Sequence, residues 1–256
     1  MINAKIHFVI DKSTKAIIQK KKILKNNKNY SLRQSNVIVV VGGDGFMLQT
    51  LKKFYKYQKP FYGMNRGTYG FLMNKFKSKS IAHRIEQAKS VTISALEMQA
   101  MTKNNKKKSA IAINEVSLLR QERQAAILQI LNRKNFLIKK LICDGVLVCT
   151  PAGSTAYNLS VNGPILSLNS KKLAVTPISP FRPRRWKGKI VSSSSLLKIK
   201  NLNIKKRPLS VVADNIEVRN VKSVKIRINK LIKFKLLYDR SSILTKKIKL
   251  EQFRRK

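Results

Sequence analysis

Four residues, Gly42-Gly43-Asp44-Gly45, constrain this chain more than any others. They stand between a continuous apolar run, Asn36 to Val41, and a run of helical spacing, Phe46 to Tyr57. A short apolar run without polar alternation is the pattern of a buried parallel strand. Glycines let the backbone turn sharply out of such a strand and approach a ligand closely. The free N–H groups at the start of the following helix can hold phosphate. A carboxylate among these donors repels phosphate, so Asp44 suits a hydroxyl acceptor or a magnesium ion instead. The structural alternative is an ordinary strand-to-helix turn with Asp44 as its N-cap. No Gly-Lys-Ser/Thr follows, so the turn is not a Walker loop. Its glycine spacing is not that of the dinucleotide fingerprint either.

The sequence around the turn predicts alternating strand and helix. Lys5 to Ile10 reads as a strand, and Ser13 to Leu24 has helical spacing at Ile17, Ile18 and Leu24. The helix Phe46 to Tyr57 places Leu48, Leu51 and Tyr55 on one face, and Pro60 to Gly63 is a third short strand. This βαβαβ order predicts a doubly wound sheet. Beyond about residue 90 the pattern changes to strand-like runs with short breaks. They are Val91 to Met101, Ala110 to Leu118, Ala125 to Leu131, Phe136 to Ile142, Val146 to Thr150, Leu173 to Pro177, Leu196 to Ile199, Leu209 to Ala213, Val218 to Ile228 and Ile232 to Leu237. Such spacing predicts an all-β second domain. Ser241 to Phe253 is predicted to be helical and to fold back on the first domain. The expected fold is therefore an N-terminal doubly wound α/β domain, residues 1–80 with about 238–256, and a C-terminal all-β domain, residues 81–237.

Composition narrows the function classes. Apolar residues make up 43% of the 256, enough for a core and too many for a disordered chain. No apolar run approaches the roughly eighteen residues of a membrane span. Met1 to Asp11 already carries Lys5, His7 and Asp11, so it reads as a first strand and not a secretory signal. Two cysteines, Cys143 and Cys149, with two separated histidines make neither a disulfide framework nor a zinc site, and point to the cytoplasm. The net charge of +44 suggests nucleic-acid binding at first sight. Its Lys-Lys steps are dispersed, however, as at Lys20 to Lys22, Lys106 to Lys108, Lys139-Lys140 and Lys205-Lys206. Dispersed runs are solvated faces, so the expectation is a general attraction for anions and no specific nucleic-acid site. The acids are more informative: among only eleven, Asp44, Glu115, Asp144 and Asp214 sit at breaks in apolar runs.

Three further clusters accompany the first turn. Gly63 to Leu72 reads Gly-Met-Asn-Arg-Gly-Thr-Tyr-Gly-Phe-Leu, a second glycine-rich turn after the third strand. Ends of neighbouring strands line one crevice in an open α/β sheet, so two such turns can meet one ligand. Asn114-Glu115 offers an amide and a carboxylate, groups that suit ribose hydroxyls, although a surface turn would also use them. The fourth cluster runs from Asp144-Gly145 through a strand to Pro151-Ala-Gly-Ser-Thr-Ala-Tyr157, Asn158-Leu-Ser160 and Gly163-Pro164. Pro151 and Gly153 set a turn, Ser154 and Thr155 can cap a short helix or bond a phosphate or ribose, and Tyr157 can stack on a base or fill the core.

Taken together and in this order, the four clusters resemble the NAD kinase family over nearly the whole chain. Diacylglycerol kinases, sphingosine kinases and phosphofructokinases share a similar GGDG turn but lack the later set. The resemblance implies an ATP-dependent kinase acting on the 2′-hydroxyl of the adenosine ribose of NAD to give NADP. It implies that Asp44 is the catalytic base or hydroxyl-orienting carboxylate, and that Gly42, Gly43 and Gly45 shape the ATP side. Phe71, Asn114, Glu115, Asp144, Thr155, Ala156, Tyr157, Asn158, Leu159 and Ser160 would contact NAD, with Ser179 near the adenine. Magnesium or another divalent cation and a homodimer or homotetramer are implied as well. The chain departs from the family at Tyr69, where Leu is common, and at Ile216, where many members carry Gln. Ile216 is accordingly given no ligand contact.

Overall fold

The computed structural model describes residues 4–67 and 70–240. The chain divides into two compact units, Met1–Ile93 with Ile232–Lys256, and Ser94–Leu231. The helix expected at Ser241 to Phe253, and Thr68 and Tyr69, lie outside the described residues.

The first unit alternates strand and helix as its apolar pattern predicts through β1 (Ile6–Ile10), α1 (Thr14–Asn26), β2 (Val37–Gly42), α2 (Asp44–Phe54) and β3 (Phe61–Asn65), and adds a short helix the pattern did not predict, α3 (Ile81–Glu86). The three strands are parallel, with β2 between β1 and β3, and Gly42 beside Asn65 at their carboxyl ends. Every residue of β2 is buried. That accounts for a run with no polar member, since each buried Val or Ile contributes about 1.5–3 kcal/mol relative to exposure. Ala16 and Ile23 of α1 and Ile81 and Ile85 of α3 pack in the same core as Val37, Val39 and Val41. The buried face of α1 therefore differs from the one its spacing suggested, because Ile17 and Ile18 are exposed. The second helix also starts two residues earlier than expected, at Asp44, and gives way at Tyr55–Tyr57 to a 3₁₀ turn.

The second unit is built of strands: β4 (Lys89–Thr102, in this unit from Ser94 on), β5 (Lys107–Ala112), β6 (Glu115–Arg120), β7 (Ala126–Asn132), β8 (Asn135–Cys143), β9 (Gly145–Cys149), then a short helix α4 (Tyr157–Ser160), β10 (Lys172–Ile178), β11 (Lys189–Ser192), β12 (Leu197–Asn201), β13 (Leu209–Ala213), β14 (Ile216–Val218) and β15 (Val221–Tyr238, in this unit as far as Leu231). One antiparallel sheet has the order β11-β10-β9-β6-β13-β14. In the other, β12 lies between β15 and β7, β8 follows β7, and β4 joins β15 to β5. Inward residues of both sheets, among them Leu96, Leu118, Leu128, Val146, Val175, Ile199, Val211 and Val224, form one core.

Three expected strands are drawn differently by the structure. The run Ala110 to Leu118 is two strands broken at Ile113-Asn114. The runs Val218 to Ile228 and Ile232 to Leu237 are instead the short β14 and one long strand, β15. Within the first unit, Leu236 and Leu237 at the end of β15 pair in parallel with Phe61 and Tyr62 of β3. That end is pinned by buried Asn74, which donates to the Leu237 carbonyl at 3.0 Å and accepts the Asp239 N–H at 2.9 Å. Asp239 also accepts the Tyr62 hydroxyl at 2.7 Å and pairs with Arg84. No helix among the described residues is long and apolar enough to cross a membrane.

Candidate functional site

Asp44 is the first residue of α2, and its N-cap is the extended Gly43. The capping role considered from sequence is therefore not the one it takes. Its side chain reaches across to the second glycine-rich turn. Asp44 Oδ2 accepts the Phe71 N–H at 2.7 Å, and the Leu72 N–H is shared between Oδ1 at 3.1 Å and Oδ2 at 3.2 Å. A β-carbon on Gly70 would lie 2.5 Å from Asp44 Oδ1, so this approach is open only to glycine. Gly67 and Gly43 also touch, since a β-carbon on Gly67 would stand 3.0 Å from the Gly43 α-carbon. Asn65 Oδ1 accepts the Gly67 N–H at 2.9 Å, and the Arg66 N–H donates to the Gly42 carbonyl at 2.7 Å. The Arg66 guanidinium lies 3.6 Å from the centre of the Phe76 ring. The two glycine clusters, expected at neighbouring strand ends, thus meet through Asp44. Gly45 differs from its neighbours: it is exposed, and a β-carbon there would meet none of the described residues within 4 Å.

The second unit assembles the remaining residues around strand β9. At its carboxyl end, Glu115 of β6 stands opposite Cys149. Thr150 holds the break before β6, its hydroxyl donating to the Ile113 carbonyl at 2.7 Å and its N–H to the Asn114 carbonyl at 2.9 Å. The chain then turns through a 3₁₀ segment, Ala152–Thr155, whose Gly153 packs on the Asn114 main chain. Ser154 is used internally: its hydroxyl donates to the Pro151 carbonyl at 2.8 Å and accepts the Leu166 N–H at 3.0 Å. Asn158 is buried, donates to the Ser154 and Pro164 carbonyls at 3.2 and 3.0 Å, and accepts the Thr176 hydroxyl at 2.6 Å. Its side chain therefore fixes α4. Tyr157 is half-buried and packs against the cluster of Leu147, Cys149, Leu166, Ala174 and Ile178. Thr155 is buried, Ala156 and Leu159 are half-buried, and Ser160 is exposed.

Asp144 and Ser179 belong to the opposite end of β9. Gly145 pairs with Ile178, so the residues flanking that pair are neighbours there. Asp144 forms an ion pair with Arg120, and its N–H donates to the Ile178 carbonyl at 3.0 Å. Ser179 is exposed in a left-handed conformation, φ 47°. At about 3.3 Å per residue, the length of β9 separates these two from Asn114, Glu115 and Thr155 to Ser160 by roughly 13 Å. The structure thus gathers the second-unit residues into two groups, not one.

Sequence reasoning left one participant without a role. Asp214 accepts main-chain N–H groups of Ile113, Asn114 and Glu115. The available signal was an acid, followed by Asn215, at the sharp end of the run Leu209 to Ala213. Both cysteines are buried free thiols, and burial pushes each up to about 12, which removes them as nucleophiles. The described residues contain no group of three His, Cys, Asp or Glu placed to hold a metal ion.

Comparison with known proteins follows the two units. Residues 9–92 match the family model of the ATP-NAD kinase N-terminal domain, and residues 113–234 that of the ATP-NAD kinase C-terminal domain. The chain is 43% identical over 249 residues to an NAD kinase of Brucella suis biovar 1 (strain 1330), covering 97% of each chain. It is 46% identical over 226 residues to an NAD kinase of Rhizorhabdus wittichii, covering 88% of each. Among solved structures it is similar to yeast NADH kinase complexed with NADH, with a TM-score of 0.75 and 25% identity over 87% of this chain and 67% of that one. An NAD kinase from Archaeoglobus fulgidus in complex with ATP shares the fold, with a TM-score of 0.71, 22% identity and coverage of 95% and 97%.

Proposed function

The chain belongs to the NAD kinase family, and from that premise we propose how its residues divide the work of moving the terminal phosphoryl group of ATP to the 2′-hydroxyl of the adenosine ribose of NAD. The observation that carries the proposal is the Asp44 carboxylate, fixed at the start of α2 by the N–H groups of Phe71 and Leu72. Phosphoryl transfer passes through a loose transition state, so positioning and charge neutralisation outweigh proton removal. A carboxylate held in this way is fixed in place as a hydrogen-bond acceptor. It orients the ribose hydroxyl in line with the γ-phosphorus and takes its proton late, as the bond to phosphorus forms and the bond to the β-phosphate oxygen breaks. Gly42, packed on Phe46 and Asp11, and Gly43, packed on Gly67, shape the turn on the ATP side, and the exposed Gly45 leaves room for the phosphates at the mouth of α2. Asn114, Glu115 and the Thr155 to Ser160 segment hold NAD, with Asn158 acting through the shape of that segment. Asp144, Ser179 and Phe71 complete the NAD contacts.

Magnesium enters this proposal as part of the substrate. The described side chains do not offer a three-ligand protein site, and the ion fits as one bound to the nucleotide phosphates, where it offsets their charge. Cytoplasmic location, assembly into a homodimer or homotetramer, and the lack of a specific nucleic-acid partner belong to the same proposal. The two buried, unpaired thiols support the first of these, and the dispersed positive charge supports the last.

Gly45 gives a sharp test, because none of the described residues requires glycine there. Gly45→Ala should leave the melting temperature unchanged or raise it, since Ala is favoured over Gly in a helix by about 1 kcal/mol. A methyl group forced into ligand space costs about 1–3 kcal/mol, so ATP affinity should fall roughly 5- to 150-fold. A stable variant with unchanged ATP affinity would remove Gly45 from the site. The NAD assignment is tested by the double variant Asn114→Ala, Glu115→Ala. Loss of charge-assisted hydrogen bonds should raise the KM for NAD about tenfold to a hundredfold, with the KM for ATP within about twofold of the parent. A weakened ATP titration beside an unchanged NAD titration would reverse the assignment.

A further inference from the structure

We infer that Asp214 is a positioning residue for NAD, its carboxylate fixing the main chain that carries Asn114 and Glu115. The inference rests on the assignment of that pair to NAD. Asp214 follows the last residue of β13 and takes a left-handed conformation, φ 52°, which Asp and Asn adopt more readily than other residues with a side chain. From there its Oδ2 accepts the Ile113 N–H at 2.8 Å, and its Oδ1 accepts the Asn114 N–H at 2.9 Å and the Glu115 N–H at 3.4 Å. The Asp214 N–H returns to the Glu115 carbonyl at 3.2 Å. Three successive donors at a strand break thereby converge on one anion, an arrangement that satisfies main-chain groups leaving the sheet ladder.

The far side of the same turn is also held. The Ile113 and Asn114 carbonyls accept from Thr150, and Gly153 presses on the Asn114 main chain. Clamped on donors and acceptors alike, the pair keeps one main-chain conformation before any ligand arrives, and NAD is spared the cost of ordering it. The strands on either side do not depend on the clamp. β5 pairs with β4 along its length, and β6 pairs with both β9 and β13. Loss of the Asp214 carboxylate should therefore free the turn and leave the sheets in place. An amide cannot substitute fully, since Asn offers one acceptor oxygen and would aim an NH₂ group at an N–H.

The test uses a graded pair of substitutions in the full chain. Asn tolerates the left-handed backbone, and Gly adopts it without strain, so Asp214→Asn and Asp214→Gly alter the carboxylate and not the conformation. NAD affinity, measured by calorimetry without ATP, should fall about 3- to 10-fold in the first and about 10- to 100-fold in the second. The KM for ATP and the kcat at saturating NAD should stay within about twofold of the parent. Unchanged NAD affinity in both variants, or equal weakening of NAD and ATP with a lowered melting temperature, would overturn the inference and leave Asp214 a purely structural residue. Should Asp214→Gly fail to fold, Asp214→Asn alone decides. The double variant Asn114→Ala, Glu115→Ala, measured in parallel, separates the two levels. If it binds NAD normally, the site assignment fails and Asp214 falls with it. If it binds NAD weakly while both Asp214 variants bind normally, only the role of Asp214 is overturned.

Discussion

Replacing Asp44 by Asn is expected to lower kcat for NADP formation by about 10²–10⁴-fold, the usual cost of losing a group that handles the transferred proton. The substitution is nearly isosteric. Asn can still accept the Phe71 N–H through its single carbonyl oxygen, but it presents an NH₂ group where the carboxylate also accepts the Leu72 N–H. Losing one charge-assisted bond at a half-buried turn should cost about 1–2 kcal/mol of stability, a loss the fold survives. Circular dichroism and a thermal melt would establish that the variant is folded, and initial rates at saturating ATP and NAD would give kcat. Activity within about tenfold of the parent would show that the carboxylate serves the turn and not the reaction.

Gly153→Ala should have the largest effect on stability and should act on NAD at a distance. A β-carbon at this position would lie 2.2 Å from the Asn114 carbonyl oxygen and 2.5 Å from its carbonyl carbon and α-carbon. All three are main-chain atoms, so no side chain can rotate out of the way. Either the 3₁₀ turn lifts or Asn114 moves. Both responses strain the bonds from Thr150 to the Ile113 and Asn114 carbonyls. Overpacking of about 1–3 kcal/mol together with two weakened hydrogen bonds of about 1 kcal/mol each gives a loss of about 3–5 kcal/mol. In a chain of this size that lowers the melting temperature by roughly 6–20 °C. NAD affinity should fall further than ATP affinity, because the displaced residue is Asn114. An unchanged melting temperature with an unchanged NAD titration would contradict both the packing and the assignment.

Much of this architecture was legible in the residues, for definite reasons. The run Asn36 to Val41 predicted a buried strand because nothing polar interrupts it, and β2 is buried at every position. What the sequence hid was long-range. Ala110 to Leu118 reads as one run because only Asn114, Glu115 and Ser117 interrupt its apolar residues. It becomes two strands because Asp214, a hundred residues away, takes the N–H groups of the turn. The long strand β15 reads as two because Asn229-Lys230-Leu231 looks like a break, yet the strand continues with Leu231 almost fully exposed. In α1 the spacing of Ile17, Ile18 and Leu24 was a true helical signal, and Leu24 packs against the core beside Ala16 and Ile23, but Ile17 and Ile18 face outward. At the site, glycine turns and lone acids announced themselves by type and position. The bond from Asp44 to Phe71 and Leu72 did not, since no local pattern joins residues so far apart in sequence.

The most direct test of the central claim is the fate of the terminal phosphate. The purified full chain would be incubated with magnesium and ATP labelled at the γ-phosphorus, in separate reactions with NAD, a diacylglycerol and a hexose phosphate. The expected result is label on the 2′-position of NAD, recovered as NADP in a one-to-one ratio with ADP and lost in Asp44→Asn. Label on the lipid or the sugar with none on NAD, or ADP released without NADP, would contradict it.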